Sequence, residues 1–276
     1  MSTLAPSIRV PRLDAVGRVT QLRVARAEWT KLYSLRSSRW STVLAVIFTI
    51  GLPALFATVV ASRWSHMSPH ERADRHPLDV ALAGVNISQL PIAVLGVLVI
   101  TGEYATGTIR ATLTAVPKRL PVLWAKIGVY ALFSFALMLP SVLAAFFLSQ
   151  AILRNHHILQ ISISHPGVAR SVVGGAVYLT LVGIFALALG AIVRSTAGGI
   201  GIFAAIFFVI PPLLNVLPTS WNNAINPWLP SSAARSVFSL TTDPHNLRPG
   251  PGVALFVGYV AVAVAIAAVS LVRRDA

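Results

Sequence analysis

Seven histidines and eight carboxylates hold most of this chain's capacity for acid–base or metal chemistry. Their positions take much of that capacity away. His66, His70, His76, His156, His157, His165 and His245 all fall between long apolar runs. The densest group, His156, His157 and His165, matches no strong ligand spacing, so solvated loop histidines are the expectation and no metal site is read. No ionisable residue is read in the interior of an apolar run. An intramembrane hydrolase or a proton relay therefore lacks its acid–base groups at depth. There is no cysteine, which removes disulfides, thiolate metal sites and cysteine nucleophiles. There is also no Gly-Lys dipeptide, so the phosphate-cradling Walker loop is missing and the chain is not itself an ATPase. The expectation is a non-enzyme that holds no cofactor of its own.

One stretch stands apart, "GEYATGTIRATLTAVPKR", Gly102 to Arg119. Ile109, Leu113 and Val116 repeat at i, i+4 and i+7, with Arg110 and Thr114 off that stripe. Gly107-Thr108 supplies a turn and an N-cap, and Pro117 marks an end. This pattern predicts a short amphipathic helix lying along one membrane face. Glu103 stands where the preceding apolar run leaves the membrane. There it pairs with Arg110, pairs with a basic residue of another chain, or is solvated. The residues alone suit a docking helix and an inert interfacial loop equally.

The elements that must position this segment are apolar. Of 276 residues, 55% are hydrophobic and 11% charged, against about 25% charged in soluble domains. The apolar residues gather into six runs of about 20, the length that crosses a hydrocarbon core. They cover roughly residues 41–61, 80–101, 123–153, 172–193, 199–217 and 252–272. The third is long enough to protrude or bend, with Pro140 as a kink. The expected fold is an all-α membrane protein in one permease-like domain over 1–276: an N-terminal segment 1–40, a six-span bundle 41–272 and a tail 273–276. Lysine and arginine concentrate at the N-terminus, the second-to-third connection, the fourth-to-fifth connection and the C-terminus. By the positive-inside rule that side is cytoplasmic, and it carries both termini. The net charge of +14 thus reads as topology and lipid-headgroup contact, not as nucleic-acid binding. The first forty residues are polar and basic, without the apolar core of a cleavable leader.

Smaller features follow. In "QLRVARAEWTKLYSLRSSRW", Leu22, Ala25, Trp29, Leu32 and Tyr33 share a helical face. Arg23, Lys31 and Ser34 lie away from it, and an amphipathic interface helix with Arg26, Trp29 and Lys31 as its functional residues is expected. Asn86, Ser88 and Gln89 in the second run and Asn215 in the fifth either line a substrate pathway or serve as hydrogen-bonding glue between helices. Gly175, Gly183 and Gly190 recur on one face of the fourth run, a close-packing signal. The connection 218–251 reads as re-entrant short helices or as an exposed loop.

The set Glu103, Gly107, Thr108, Ile109, Arg110, Leu113, Pro117 and Arg119 resembles the cytoplasmic signature of type-2 ABC exporter permeases. "AEWTKLYSLRSSRW", "LGAIVRSTAGGIGI" and "NPWLPSSAARSVF" are similar to that family's interface helix, tight turn and external segment. This resemblance implies that 103–119 is a coupling helix seated on a separate ATPase subunit. It further implies two permease halves, alike or related, and two ATPases, which bind the ATP and magnesium. Tyr104-Ala105 departs from the family pattern, where an acidic residue or arginine often stands. An ion-coupled secondary carrier working through broken helices and a non-transporting scaffold subunit are the alternatives.

Overall fold

The computed structural model describes residues 21–34, 36–73, 75–108, 119–158, 160–239 and 247–273. Within them the chain is helical, with no strand. We number the helices α1 (Gln21–Ser34), α2 (Arg36–Arg63), α3 (Pro69–Ala73), α4 (Pro77–Ala105), α5 (Arg119–Asn155), α6 (Val168–Val193), α7 (Thr196–Ala204), α8 (Ile210–Leu214), α9 (Thr219–Ile225), α10 (Pro230–Arg235) and α11 (Pro249–Arg273).

Six segments are long and apolar enough to cross a bilayer: Arg36–His66, Pro77–Ala105, Leu120–Asn155, Val168–Val193, Thr196–Leu214 and Pro249–Arg273. This is a multi-pass membrane protein, and the six runs read from the sequence fall inside or overlap these segments. In lipid a backbone polar group finds no water, so each span must satisfy its own hydrogen bonds as a helix. α5, at 37 residues, is about 55 Å long at 1.5 Å per residue. It outreaches the hydrocarbon core and continues as helix through Pro140.

α4 and α6 form the centre: they are the two most buried spans and pack closely on each other. Glycine permits that closeness. A Cβ on Gly96 would overlap the carbonyl oxygen of Gly183, and one on Gly183 would overlap the Tyr130 ring of α5. The Tyr130 hydroxyl donates to the Ile92 carbonyl at 2.8 Å and ties α5 into the same seam. Of the three glycines expected to pack closely, Gly183 and Gly190 face the neighbouring helices α5 and α4, whereas Gly175 sits at ordinary contact distance.

α2 packs on α4 and α5, and α11 on α6. Within the α2–α4 contact, Thr49 and Ser88 share a buried hydrogen bond of 2.8 Å. The fifth span is interrupted. Between α7 and α8 lies a π-helical turn, Ala205–Val209. Pro211 and Pro212 follow, and their missing N–H groups leave the Phe207 and Phe208 carbonyls without α-helical donors, which favours the wider turn.

The 218–251 connection contains α9, a 3₁₀ turn (Asn226–Trp228) and α10 among its described residues. α10 rests on α11, while Trp221 and Trp228 are exposed. α6 and α7 are joined by two residues: Arg194 in the left-handed conformation and Ser195, which caps α7 by accepting from the Gly198 N–H.

Candidate functional site

Four charged side chains from three helices meet where α4 ends and α5 begins. Glu28 and Lys31 come from α1, Glu103 from the last turn of α4, and Lys126 from the second turn of α5. The Lys126 Nζ lies 2.5 Å from Glu28 Oε2 and 2.6 Å from Glu103 Oε1. Lys31 Nζ lies 2.8 Å from Glu28 Oε1 and 2.7 Å from Glu103 Oε1. Each lysine thus bridges both carboxylates, and the charges balance two against two. The Lys126 side chain is only 1% exposed, and its ammonium also donates to the Val99 carbonyl at 3.3 Å. Lys31 is 39% exposed and forms the wet edge of the group. Burial works against the Lys31 ammonium, but hydrogen bonds to Glu103 and Glu28 hold its proton more tightly than in an ordinary lysine.

Local sequence explains how these groups arrive. On α1, Val24, Glu28 and Leu32 stand at i, i+4 and i+8 and form the buried stripe. This differs from the expected apolar face: Leu22 and Tyr33 are largely exposed. A carboxylate taken from water must find a cation. Turning Glu28 inward to Lys126 sets the rotation of α1 about its axis and moves Leu22 aside. The aromatic side of the helix still contributes. Trp29 and Tyr33 meet Phe133 of α5 edge-on, with ring centroids 6.1 and 5.7 Å apart. Lys126 and Phe133 are seven residues apart and so share one side of α5. Salt bridges and rings therefore pin α1 along two turns of the same helix.

Lys126 overturns one expectation. It belongs to the third span and is fully buried, so the spans do hold an ionisable residue. Its ammonium is inside the bundle and not in the second-to-third connection.

Glu103 does not await a partner from the following segment to be neutralised, since Lys31 and Lys126 both bind its Oε1. Its second oxygen, Oε2, is buried and has no hydrogen-bond partner among the described residues. Gly107 adopts φ 70° and ends α4 in the left-handed conformation that glycine tolerates best. The Thr108 hydroxyl lies 2.9 Å from that of Thr106. Ile109, Arg110, Leu113 and Pro117, and with them the predicted amphipathic helix, lie outside the described residues. Arg119 is the first residue of α5. Arg26 is exposed on α1, away from the ion network.

The candidate pathway residues are not brought together. Gln89 is buried; it accepts from the Tyr178 hydroxyl and donates to the Asn86 carbonyl at 2.7 Å. Asn215 is exposed and accepts from Asn222 at 3.2 Å. Gln89 acts as glue between α4 and α6, the second of the roles open to it.

Beside the ion network lies a cavity of about 480 Å³, lined by Glu28, Lys31, Ser38, Leu98, Gly102 and Glu103 among others. Among the described residues no three of His, Asp and Glu form a metal-sized group. Each lysine of the network is held between two carboxylates. The network fastens three helices where one connection begins. Sequence reasoning singled out Lys31 and Glu103 but missed Glu28 and Lys126. The available signals were a glutamate three residues before Lys31 on one helix, and a lysine set four residues into an apolar run. The chain matches no protein-family model, and a search of curated proteins finds no match.

Proposed function

We propose that this chain is the membrane-spanning permease subunit of an ATP-driven exporter of the type-2 ABC class. It sits in the cell membrane with both termini cytoplasmic. A separate ATPase subunit, in two copies, docks on the segment 103–119 and supplies ATP and magnesium. A second permease half, identical or related, completes the substrate pathway.

The observation that carries this reading is the attachment of Glu103. It stands two residues before the end of α4, immediately ahead of the segment with the exporter-like signature. Through Lys31 and Lys126 it is bound to α1 and α5 at once. A force delivered to the α4–α5 connection reaches three helices through short contacts. Buried ion pairs contribute little net stability, because desolvation offsets their attraction, but losing one partner is costly. Such a network suits a joint that must keep its geometry under load. The large apolar side chains exposed on α2, α7 and α11, such as Ile47, Leu55, Ile202, Val262 and Ile266, give surface for lipid and for the second half.

The test is co-expression with the candidate ATPase, purification, and measurement of ATP-driven transport in liposomes. Glu103→Ala and Arg110→Glu are expected to lose the ATPase subunit or its transport-coupled turnover. An intact complex with normal turnover in both variants defeats the coupling role. Transport by the chain alone, driven by a sodium gradient without nucleotide, defeats the class.

A further inference from the structure

At the membrane face opposite the ion network, α2 and α4 frame a groove of about 530 Å³. Its two ends differ in chemistry. Phe56, Val59 and Arg63 line it from one side of α2, at i, i+3 and i+7. Arg63 stands at the outer end of the span, and Phe56 lies about 10 Å deeper at 1.5 Å per residue. Phe56 and Val59 are 39% and 40% exposed. Around Arg63 the lining turns charged, with Arg75, His76 and Asp79. Arg63 and Arg75 are exposed, and their guanidiniums make no ion pair or hydrogen bond among the described residues. Glu71 is within electrostatic reach of Arg75, but its carboxylate accepts from the Ser68 N–H at 2.8 Å.

We propose that this groove binds one anionic phospholipid, with the phosphodiester on Arg63 and Arg75 and an acyl chain along Val59 and Phe56. Charge selects the anion. Two guanidiniums stand against the one carboxylate of Asp79, so with His76 counted as neutral the lining carries one positive charge in excess. A lipid of net charge −1 cancels it, and a zwitterion leaves it in place. The guanidinium fork matches the paired oxygens of a phosphodiester. The order of the lining selects an amphiphile. A small soluble anion would answer the arginines and leave Phe56 and Val59 bare, whereas an acyl chain covers both. The charged end of the groove lies at the end of α2, at headgroup level, and the apolar end runs into the span. The inference goes beyond the exporter reading and stands whether or not an ATPase docks on this chain.

The chain has no cysteine, so Ser62→Cys beside the groove takes a single bimane label. The labelled full chain is reconstituted in phosphatidylcholine vesicles, and its quenching is measured as brominated phosphatidylglycerol, phosphatidylethanolamine or phosphatidylcholine is added. A charge-assisted contact predicts half-quenching by phosphatidylglycerol at about a tenfold lower mole fraction than by phosphatidylcholine. Arg63→Gln with Arg75→Gln is expected to remove that preference at unchanged melting temperature. If the double variant fails to accumulate, Arg63→Gln alone should reduce the preference to about threefold, half of the tenfold effect on the free-energy scale. Arg154→Gln, on the same membrane face but outside this groove, should keep the preference intact. Equal quenching by phosphatidylglycerol and phosphatidylcholine overturns the proposal and leaves ordinary boundary lipid. A preference that survives the loss of both arginines, or falls as far in Arg154→Gln, overturns it as well. Phosphatidylethanolamine quenching as strongly as phosphatidylglycerol would make this a zwitterion site, and reversal of the quenching by millimolar glycerol phosphate would make it a site for soluble anions. Either result also overturns the proposal.

Discussion

The α4–α6 seam and the α1–α4–α5 junction both hold helices tightly, by opposite means. The seam is apolar, built from glycine against backbone, with Tyr130 filling the adjoining space. The junction is ionic and places two lysines between two carboxylates. Lipid tails are as apolar as leucine, so the seam gains from close contact and not from leaving water. The junction gains specificity: its charges are satisfied in one arrangement, and breaking that arrangement strands a buried ion. The seam is thus suited to stay fixed, and the junction to transmit or register a change.

Four perturbations, from the largest expected effect to the smallest, would break or sharpen this contrast. Gly183→Val attacks the seam where a side chain collides with the Tyr130 ring and hydroxyl. No monodisperse protein is expected by size-exclusion chromatography after mild solubilisation, and a normal yield would show that the seam can open. Lys126→Met attacks the junction. It leaves Glu28 and Glu103 sharing one half-exposed lysine and is expected to cost about 3–5 kcal/mol. Replacing all four charged residues by apolar ones of similar size should cost less than that single change. Thermal unfolding in detergent measures both, and a quadruple variant weaker than Lys126→Met would contradict the ionic account.

Tyr178→Phe tests the polar glue within the seam. It removes the donor to Gln89 and leaves a buried amide oxygen short of a partner, at about 1–3 kcal/mol by the same assay. The last perturbation is pH. Lys31 binds its proton more tightly in the folded protein than an ordinary lysine does. Its contribution is therefore complete below the unfolded value of about 10.4 and fades as pH rises through the folded value. The melting temperature of wild type should fall in that alkaline window more than that of Lys31→Met, and a parallel decline in both would remove Lys31 from the junction.

The spans were legible because each is a local property: a run of apolar residues of bilayer length between polar connections. The turn at Gly107 was legible for a similar reason, since a glycine ahead of a capping threonine shows in neighbouring positions, whereas the tight α6–α7 turn was suggested only by the family resemblance. The rotation of α1 was not legible. Its apolar residues suggested one face, but a carboxylate with a distant cation selected another. Lys126 was obscured because the end of an apolar run is a soft boundary, and a lysine near it reads as snorkelling or loop. The pathway residues were ambiguous because an amide in a membrane helix is equally able to face a cavity or a neighbour. The position of Tyr178 decided that for Gln89.

By itself the sequence determined the six spans, their order and the polar breaks between them, because hydropathy and length act along the chain and need no partner. Only the tertiary structure decided which charges meet in one corner of the bundle. Lys126 and Glu28 are 98 residues apart, and their meeting depends on the mutual packing of α1, α4 and α5. Electrostatic attraction at contact distance is set by that packing geometry, which the spacing of residues along a chain does not contain.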